Sequence, residues 1–368
     1  MPTKALVSIL FLLLLLAMAQ PGSSSQGYNA IYNFGDSISD TGNLCLGGCP
    51  SWLTTGQPPY GKNYFGRPTG RCSDGRVFVD FLAEYFGLPL LPPSKTNGTD
   101  FKKGANMAIV GATAMNMDFF KSRGLTKSVW NSGSLEAQIS WFQQLMPSIC
   151  GNANADCKSY LKNSLFIVGE FGGNDYNAGI FGRRSLDEVK TYVGQITDKV
   201  RSGVQTLLGL GAVDVVVPGV LPIGCFPVYL TLYGGSNQGD YDGDGCLKRF
   251  NDLSGYHNEL LRQGISSLQS KYPGARLMYG DFYNHVTQMV RSPSIFGLKY
   301  GLRVCCGAGG QGSYNYNNEV RCGTPGACAC GDPADYLFWD GIHLTEAAYR
   351  SVANGWLNGP YCIPAILH

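Results

Sequence analysis

Along this chain, short apolar runs rich in β-branched residues end in glycine-rich turns and alternate with longer stretches of helical periodicity. That alternation restricts the fold to helices layered on a parallel sheet, because parallel strands need long crossovers and the usual crossover is a helix. Tyr28 to Phe34 is the first expected strand, Asn106 to Val110 a shorter second and Leu165 to Val168 a third. Ala212 to Val217 holds five apolar residues in six, which predicts a strand buried on both faces, and Ala275 to Tyr279 is the last. Periodicity predicts a helix from Leu186 to Leu208, opened by the capping pair Ser185 and Glu188 and closed near Gly209 or Gly211. A second spans Leu247 to Tyr272 until Pro273 stops it, and a third starts from Thr345 as N-cap and reaches Trp356.

No Pro/Ser/Gly-rich linker or block of like charge divides the 368 residues, so residues 26–368 are expected to form one domain. A net charge of +2 offers no basic field for phosphate neutralisation, which argues against a nucleic-acid partner. At the start, Lys4 precedes an apolar run from Ala5 to Met18 and small residues follow, the pattern of a signal peptide over residues 1–25. The run is shorter than the roughly 20 residues that span a bilayer, so no transmembrane span is expected. The secretory route follows, with extracellular space or cell wall as the expected destination and vacuole or endoplasmic reticulum lumen as alternatives. All 13 cysteines lie after that segment, and an oxidising compartment pairs most of them. Local pairing is expected for Cys45 with Cys49, for Cys150 with Cys157 and among Cys322, Cys328 and Cys330, with at least one cysteine left over. Asn97-Gly98-Thr99 is a glycosylation acceptor in a polar loop, consistent with the same route.

Four segments carry the residue types that serine-mediated acyl chemistry needs: a nucleophile, an imidazole base, a group that orients the base, and donors for the oxyanion. Ser37 follows the first strand in Asn33-Phe34-Gly35-Asp36-Ser37-Ile38-Ser39-Asp40, at the edge where open α/β sheets bind ligands. Taken alone, Asp36 and Ser37 read more readily as helix caps, and the nucleophile reading comes only from the other segments. Of four histidines, His343 stands apart because Asp340 precedes it by three residues, a spacing that lets a turn bring the carboxylate to one ring nitrogen. His285, behind Asp281, is the second choice; His257 reads as a solvated helical residue and His368 ends the chain. Gly111 offers a backbone N–H with no Cβ in the way, and Asn174 in Phe171-Gly172-Gly173-Asn174-Asp175 offers a side-chain amide at the same edge.

The ordered set Gly-Asp-Ser, Gly111, Gly-Gly-Asn-Asp and Asp-x-x-His resembles the GDSL esterase/lipase family of SGNH hydrolases over essentially the whole mature chain. Pro58-Pro59-Tyr60-Gly61, the run Arg67 to Arg76, Gly104-Ala105-Asn106 and Pro218 to Cys225 look like its plant branch. The resemblance implies a flavodoxin-like three-layer α/β/α sandwich with a central parallel sheet. It also implies Ser37 as nucleophile, His343 and Asp340 as its partners, and an oxyanion hole made by the Ser37 N–H, Gly111 and Asn174. The naming motif usually ends in Leu; here Ile38 follows the serine, and another branched aliphatic packs similarly.

Three decoys fall away. Asp240 to Gly245 copies the start of a calcium loop, but Asn251 stands where the bidentate Glu belongs. Gly307 to Gly312 matches a dinucleotide fingerprint without the flanking strand and helix, and Ser39 replaces the last glycine of a Gly-x-Ser-x-Gly elbow. No cofactor or metal is expected. The expected activity is hydrolysis of a carboxylic ester through an acyl-enzyme, by a monomer acting on an acylated plant metabolite, polysaccharide or lipid. Transfer of the acyl group to an alcohol is one alternative, and a non-catalytic secreted glycan- or lipid-binding protein is another.

Overall fold

The apolar run ahead of the first glycine turn forms β1, Ala30–Phe34, and all five of its residues are buried. Gly104–Asn106 (β2), Ser164–Val168 (β3), Asp214–Pro218 (β4) and Arg276–Gly280 (β5) complete a parallel set in the order β2-β1-β3-β4-β5. A two-residue strand, Cys362–Ile363, pairs antiparallel with β5 at the far edge. The computed structural model describes residues 27–130, 133–151, 154–310 and 314–367. The expected signal peptide, the end of the Gly307 to Gly312 run and His368 lie outside these residues.

Two helix groups cover the sheet. Leu135–Cys150, Val193–Leu210 and Lys248–Lys271 pack together, and Phe142 brings its ring within 5.0 Å of Tyr32 and 5.7 Å of Phe34 and Phe166. Phe78–Tyr85, Phe282–Arg291 and Glu346–Asn358 form the second group, joined by Trp356 against Phe78 at 4.9 Å and Phe282 at 4.8 Å. The groups share no substantial contact, as expected of helices on opposite faces of a three-layer sandwich. Because β1 continues to β2 on one side while β3 lies on its other side, the carboxyl ends of β1 and β3 flank the topological switch point.

Several expectations shift. The second strand is Gly104–Asn106, not Asn106 to Val110: beyond it Met107 and Ile109 N–H still reach the Asn33 and Gly35 carbonyls at 2.7 and 3.3 Å, but Ala108 N–H turns to the Asn106 side chain and Val110 N–H to the Asp40 carboxylate, each at 2.9 Å. The helix expected from Leu186 to Leu208 is two, Leu186–Lys190 and Val193–Leu210, since Thr191 and Tyr192 bond three residues back and tighten the chain between them. Ser185 caps Glu188 N–H as expected, Gly211 closes the second piece, and Thr345 caps Ala348 N–H. Cys45–Cys49 and Cys150–Cys157 pair as expected. The pairing expected among Cys322, Cys328 and Cys330 does not form: Cys306 takes Cys322 and Cys305 takes Cys330, while Cys225 pairs with Cys246. Cys72, Cys328 and Cys362 remain free thiols.

One buried ion pair fixes the loop after the first turn. Arg71 Nε and Nη2 meet the two oxygens of buried Asp80 at 2.7 Å each, and Nη1 donates to the Thr41 carbonyl at 3.1 Å. Asp80→Ala strands that guanidinium and is expected to cost about 3–5 kcal/mol of unfolding free energy, read from denaturant midpoints. A loss below about 1 kcal/mol, the size of an exposed pair, would mean that the guanidinium reaches water instead.

Candidate active site

Ser37 leaves the end of β1 through a tight turn that Gly35 makes possible. A Cβ on Gly35 would sit 2.7 Å from Ser39 Oγ and 2.8 Å from the Gly169 carbonyl, so the neighbouring strand end can approach only a glycine. Gln138 clamps the same peptide, its Oε1 accepting Gly35 N–H at 2.9 Å and its Nε2 donating to Gly35 O at 2.8 Å. Asp36 does act as a cap, accepting Ile38 N–H at 2.9 Å. Its capping role leaves Ser37 Oγ free to face the cavity.

On the far side of the chain, Asp340 and His343 occupy a loop pinched by the bridge between Phe338 and Leu344 and by Trp339 N–H donating to His343 O at 2.8 Å. Asp340 Oδ1 accepts the N–H groups of Ile342 and His343 at 2.8 Å each, and the imidazole Nδ1 lies 2.8 Å from Oδ2 and 3.0 Å from Oδ1. Its other nitrogen, Nε2, lies 2.9 Å from Ser37 Oγ. The tautomer with the proton on Nδ1 matches this geometry, leaving Nε2 as an acceptor for the serine proton.

Burial works against the imidazolium, but the Asp340 carboxylate and the adjacent buried Cys72 thiol raise the His343 pKa well above its usual 6.5. Burial also opposes ionisation of Asp340, yet the charge and hydrogen bonds of His343 lower its pKa. A third group touches this pair: buried Tyr60 donates its O–H to Asp340 Oδ2 at 2.7 Å. Burial and that carboxylate push the phenol pKa well up, so the hydroxyl stays a donor. Tyr60 packs edge-on against Trp339 at 5.8 Å within a cluster that includes Cys305, Cys306 and Cys322. Two disulfides thus brace the loop that holds Asp340.

The oxyanion candidates reach the same cavity. Gly111 adopts φ +78°, and neither its N–H nor that of Ser37 donates to another described residue. Asn174, near the start of the helix Gly173–Phe181, is differently engaged: Nδ2 donates to Asp36 Oδ2 at 2.7 Å and to Ala112 O at 2.9 Å. Both its amide hydrogens are therefore already in use. Beneath it, burial pushes Asp36 up to about 6 and, together with Asp36, pushes Glu170 well above the usual carboxylate range. The two carboxyls thus favour holding a proton on Glu170, which leaves Asp36 as the acceptor for Asn174. The cavity joining these groups measures about 520 Å³.

The other histidines lie elsewhere. His285 stacks on Tyr361 at 3.7 Å and meets Ser351, and His257 is fully buried with Nδ1 2.6 Å from the Tyr176 hydroxyl. The solvated reading of His257 is thus corrected: its helix turns that face onto the Gly173–Phe181 helix, and burial lowers its pKa to about 3. Carboxylates of the calcium-like loop are spent locally, Asp242 on the N–H groups of Asp244 and Cys246 and Asp244 on Arg291. Gly307 belongs to a two-residue strand paired with Cys328–Ala329, not to a turn before a helix. Tyr60 and Glu170 were missed by sequence reasoning. Tyr60 lies in a quoted family segment, but nothing in local spacing links residue 60 to residue 340.

A flavodoxin-like parallel sheet with a serine, an imidazole and a carboxylate in line at its carboxyl edge is the arrangement of a serine ester hydrolase. The family model described as GDSL-like Lipase/Acylhydrolase matches residues 31–356. A GDSL esterase/lipase of Arabidopsis thaliana is 42% identical over 371 residues, covering 99% of each chain. A second from the same plant is 41% identical, covering 99% of this chain and 90% of its own. The sinapine esterase of Brassica napus is 40% identical over 97% of this chain and 92% of its own. The chain belongs to the GDSL esterase/lipase family and is a hydrolase of ester bonds.

Proposed function

We propose that the enzyme cleaves its ester through a Ser37-His343-Asp340 triad and an acyl-enzyme. The observation that carries this reading is the unbroken line from Asp340 Oδ2 through the imidazole to Ser37 Oγ, with steps of 2.8 and 2.9 Å. His343 Nε2 takes the serine proton as Oγ attacks the carbonyl carbon, and the imidazolium returns that proton to the departing alcohol. Water, deprotonated by the same nitrogen, then releases the acid and restores the serine. Ser37 and Gly111 N–H groups stabilise the oxyanion, and Asn174 joins them when it gives up its bond to Ala112 O. A fluorophosphonate is expected to label Ser37 stoichiometrically, read by mass spectrometry of the labelled peptide; an enzyme that turns over esters with Ser37 unlabelled would refute the assignment.

His343 must be neutral to act as base, so kcat/KM is expected to rise with pH through an acid limb lying above 6.5, the ordinary imidazole value. Tyr60→Phe removes a donor from Asp340. Its less dispersed charge holds the imidazolium proton more firmly, so the limb should move to higher pH while kcat falls about tenfold and KM stays put. An unshifted limb with kcat unchanged would show that Tyr60 does not act through Asp340.

We further propose that the chain works as a secreted monomeric domain glycosylated at Asn97. An exposed turn at Asn97, five disulfides and the N-terminal apolar run support this reading. Among the described residues no helix is long and apolar enough to cross a membrane. A small-molecule ester is the substrate this family implies; sinapine names one relative's substrate, and metabolite, polysaccharide and lipid esters share the chemistry.

A further inference from the structure

Two indoles stand half-exposed at the cavity, Trp52 at 52% and Trp130 at 50%, edge-to-face with centroids 4.9 Å apart. Neither is a loose surface side chain. Trp130 abuts the candidate oxyanion site, its carbonyl oxygen 2.8 Å and its Cβ 3.0 Å from where a Cβ on Gly111 would lie. Trp52 precedes Leu53, which is buried in a cluster with Cys72 and Val110, and its loop begins at the Cys45–Cys49 disulfide. The structure thus holds two large flat surfaces open beside the reacting groups.

Several polar side chains of the surrounding wall are committed to the protein, while Lys127, Arg321 and Thr55 also line it. Asn177 accepts the Tyr229 hydroxyl, Asn318 accepts the Tyr316 hydroxyl at 3.0 Å, and Ser128 donates to the Leu125 and Ala178 carbonyls. One continuous part of the wall is apolar, formed by Phe181, Leu221, Ile223, Phe226, Val228 and Leu232. A sugar ring seated against this apolar part would give up water at its hydroxyls with few partners in return, which is unfavourable. A planar aromatic ring loses no such bonds, and indole edges and faces attract it.

We propose that Trp52 and Trp130 form a subsite for a planar aromatic ring, and that the preferred substrates are esters bearing such a ring close to the carbonyl, not acetylated polysaccharides. The inference rests on the ester-hydrolase reading of Ser37 given above. Three probes test it: methyl cinnamate, with the ring on the acid; 2-phenylethyl acetate, with the ring on the alcohol; and ethyl acetate as the aliphatic reference. At least one aromatic ester is expected to exceed the reference in kcat/KM by about tenfold or more, an advantage that Trp52→Ala reduces about tenfold and Trp52→Phe largely retains. Equal kcat/KM for all three esters in the unmodified enzyme, or an equal loss on all three in Trp52→Ala, overturns the subsite.

Inhibition of the unmodified enzyme provides a measurement that depends on no variant. Cinnamate is expected to compete with substrate at about a tenth of the concentration that acetate requires; equal potency of the two also overturns the subsite. Fluorophosphonate labelling separates this proposal from the one beneath it. An unlabelled Ser37 in an active enzyme defeats the triad reading, whereas full labelling with no aromatic preference defeats only the subsite.

Discussion

Ser37→Ala is expected to lower kcat by about five to six orders of magnitude while the protein folds as before. The size follows from what the hydroxyl does in the proposed cycle: without Oγ no acyl-enzyme forms, and His343 is left only a water to activate. A residual rate about 10³–10⁴ above the uncatalysed reaction should survive, because the N–H groups of Ser37 and Gly111 remain to stabilise an oxyanion. Stability should change little, since the only side-chain hydrogen bond of Ser37 among the described residues is the one to His343. Initial rates at saturating ester, set against thermal unfolding of the same preparation, provide the check. Retention of more than about a hundredth of the normal kcat, far above an uncatalysed residue, would exclude Ser37 as the nucleophile.

Asp340→Asn should cost about 10⁴ in kcat for a different reason. The amide oxygen can still accept the Ile342 and His343 N–H groups that Asp340 Oδ1 accepts at 2.8 Å, so the loop should keep its shape. The amide nitrogen, however, is a donor toward Nδ1, which moves the ring proton to Nε2 and points a donor at Ser37 Oγ. The asparagine also removes the largest of the contributions that together outweigh burial at His343, so the pKa of that ring must fall. What activity remains should therefore appear at lower pH than in the unmodified enzyme. The shift is opposite in sign to that expected of Tyr60→Phe, so comparing the two acid limbs separates loss of the carboxylate from loss of its hydrogen-bond donor. An Asp340→Asn enzyme with kcat within tenfold of normal would remove Asp340 from the catalytic line.

The strands were readable because each is a run of apolar residues with a glycine or proline boundary, and such runs are local. β2 was misplaced because Asn106, a polar residue, ends it by bonding to Asn33 and Ala108, and no local pattern announces a strand that stops on a buried asparagine. The break at Thr191 and Tyr192 was equally silent, since the apolar period continues across it. Ser37, His343, Asp340 and Gly111 could be picked out only together, as an ordered set of residue types and spacings, and the structure brings all four to one cavity. Asn174 was placed there too, but its present bonds to Asp36 and Ala112 could not be foreseen, because those partners lie 138 and 62 residues away.

By itself, then, the sequence determined the layering of helices on a parallel sheet, the turn after β1 at its carboxyl edge and the chemical types gathered there, because these depend on periodicity and on short segments. Only the tertiary structure decided the 2.9 Å approach of Ser37 to a histidine 306 residues away, the hydrogen bond of Tyr60 to Asp340, the pairing of Cys305 and Cys306 behind that loop, and the Trp52–Trp130 pair at the cavity mouth. Those contacts join segments that are remote in the chain. Their distances are set by how whole layers pack, so no local pattern of residues could have encoded them.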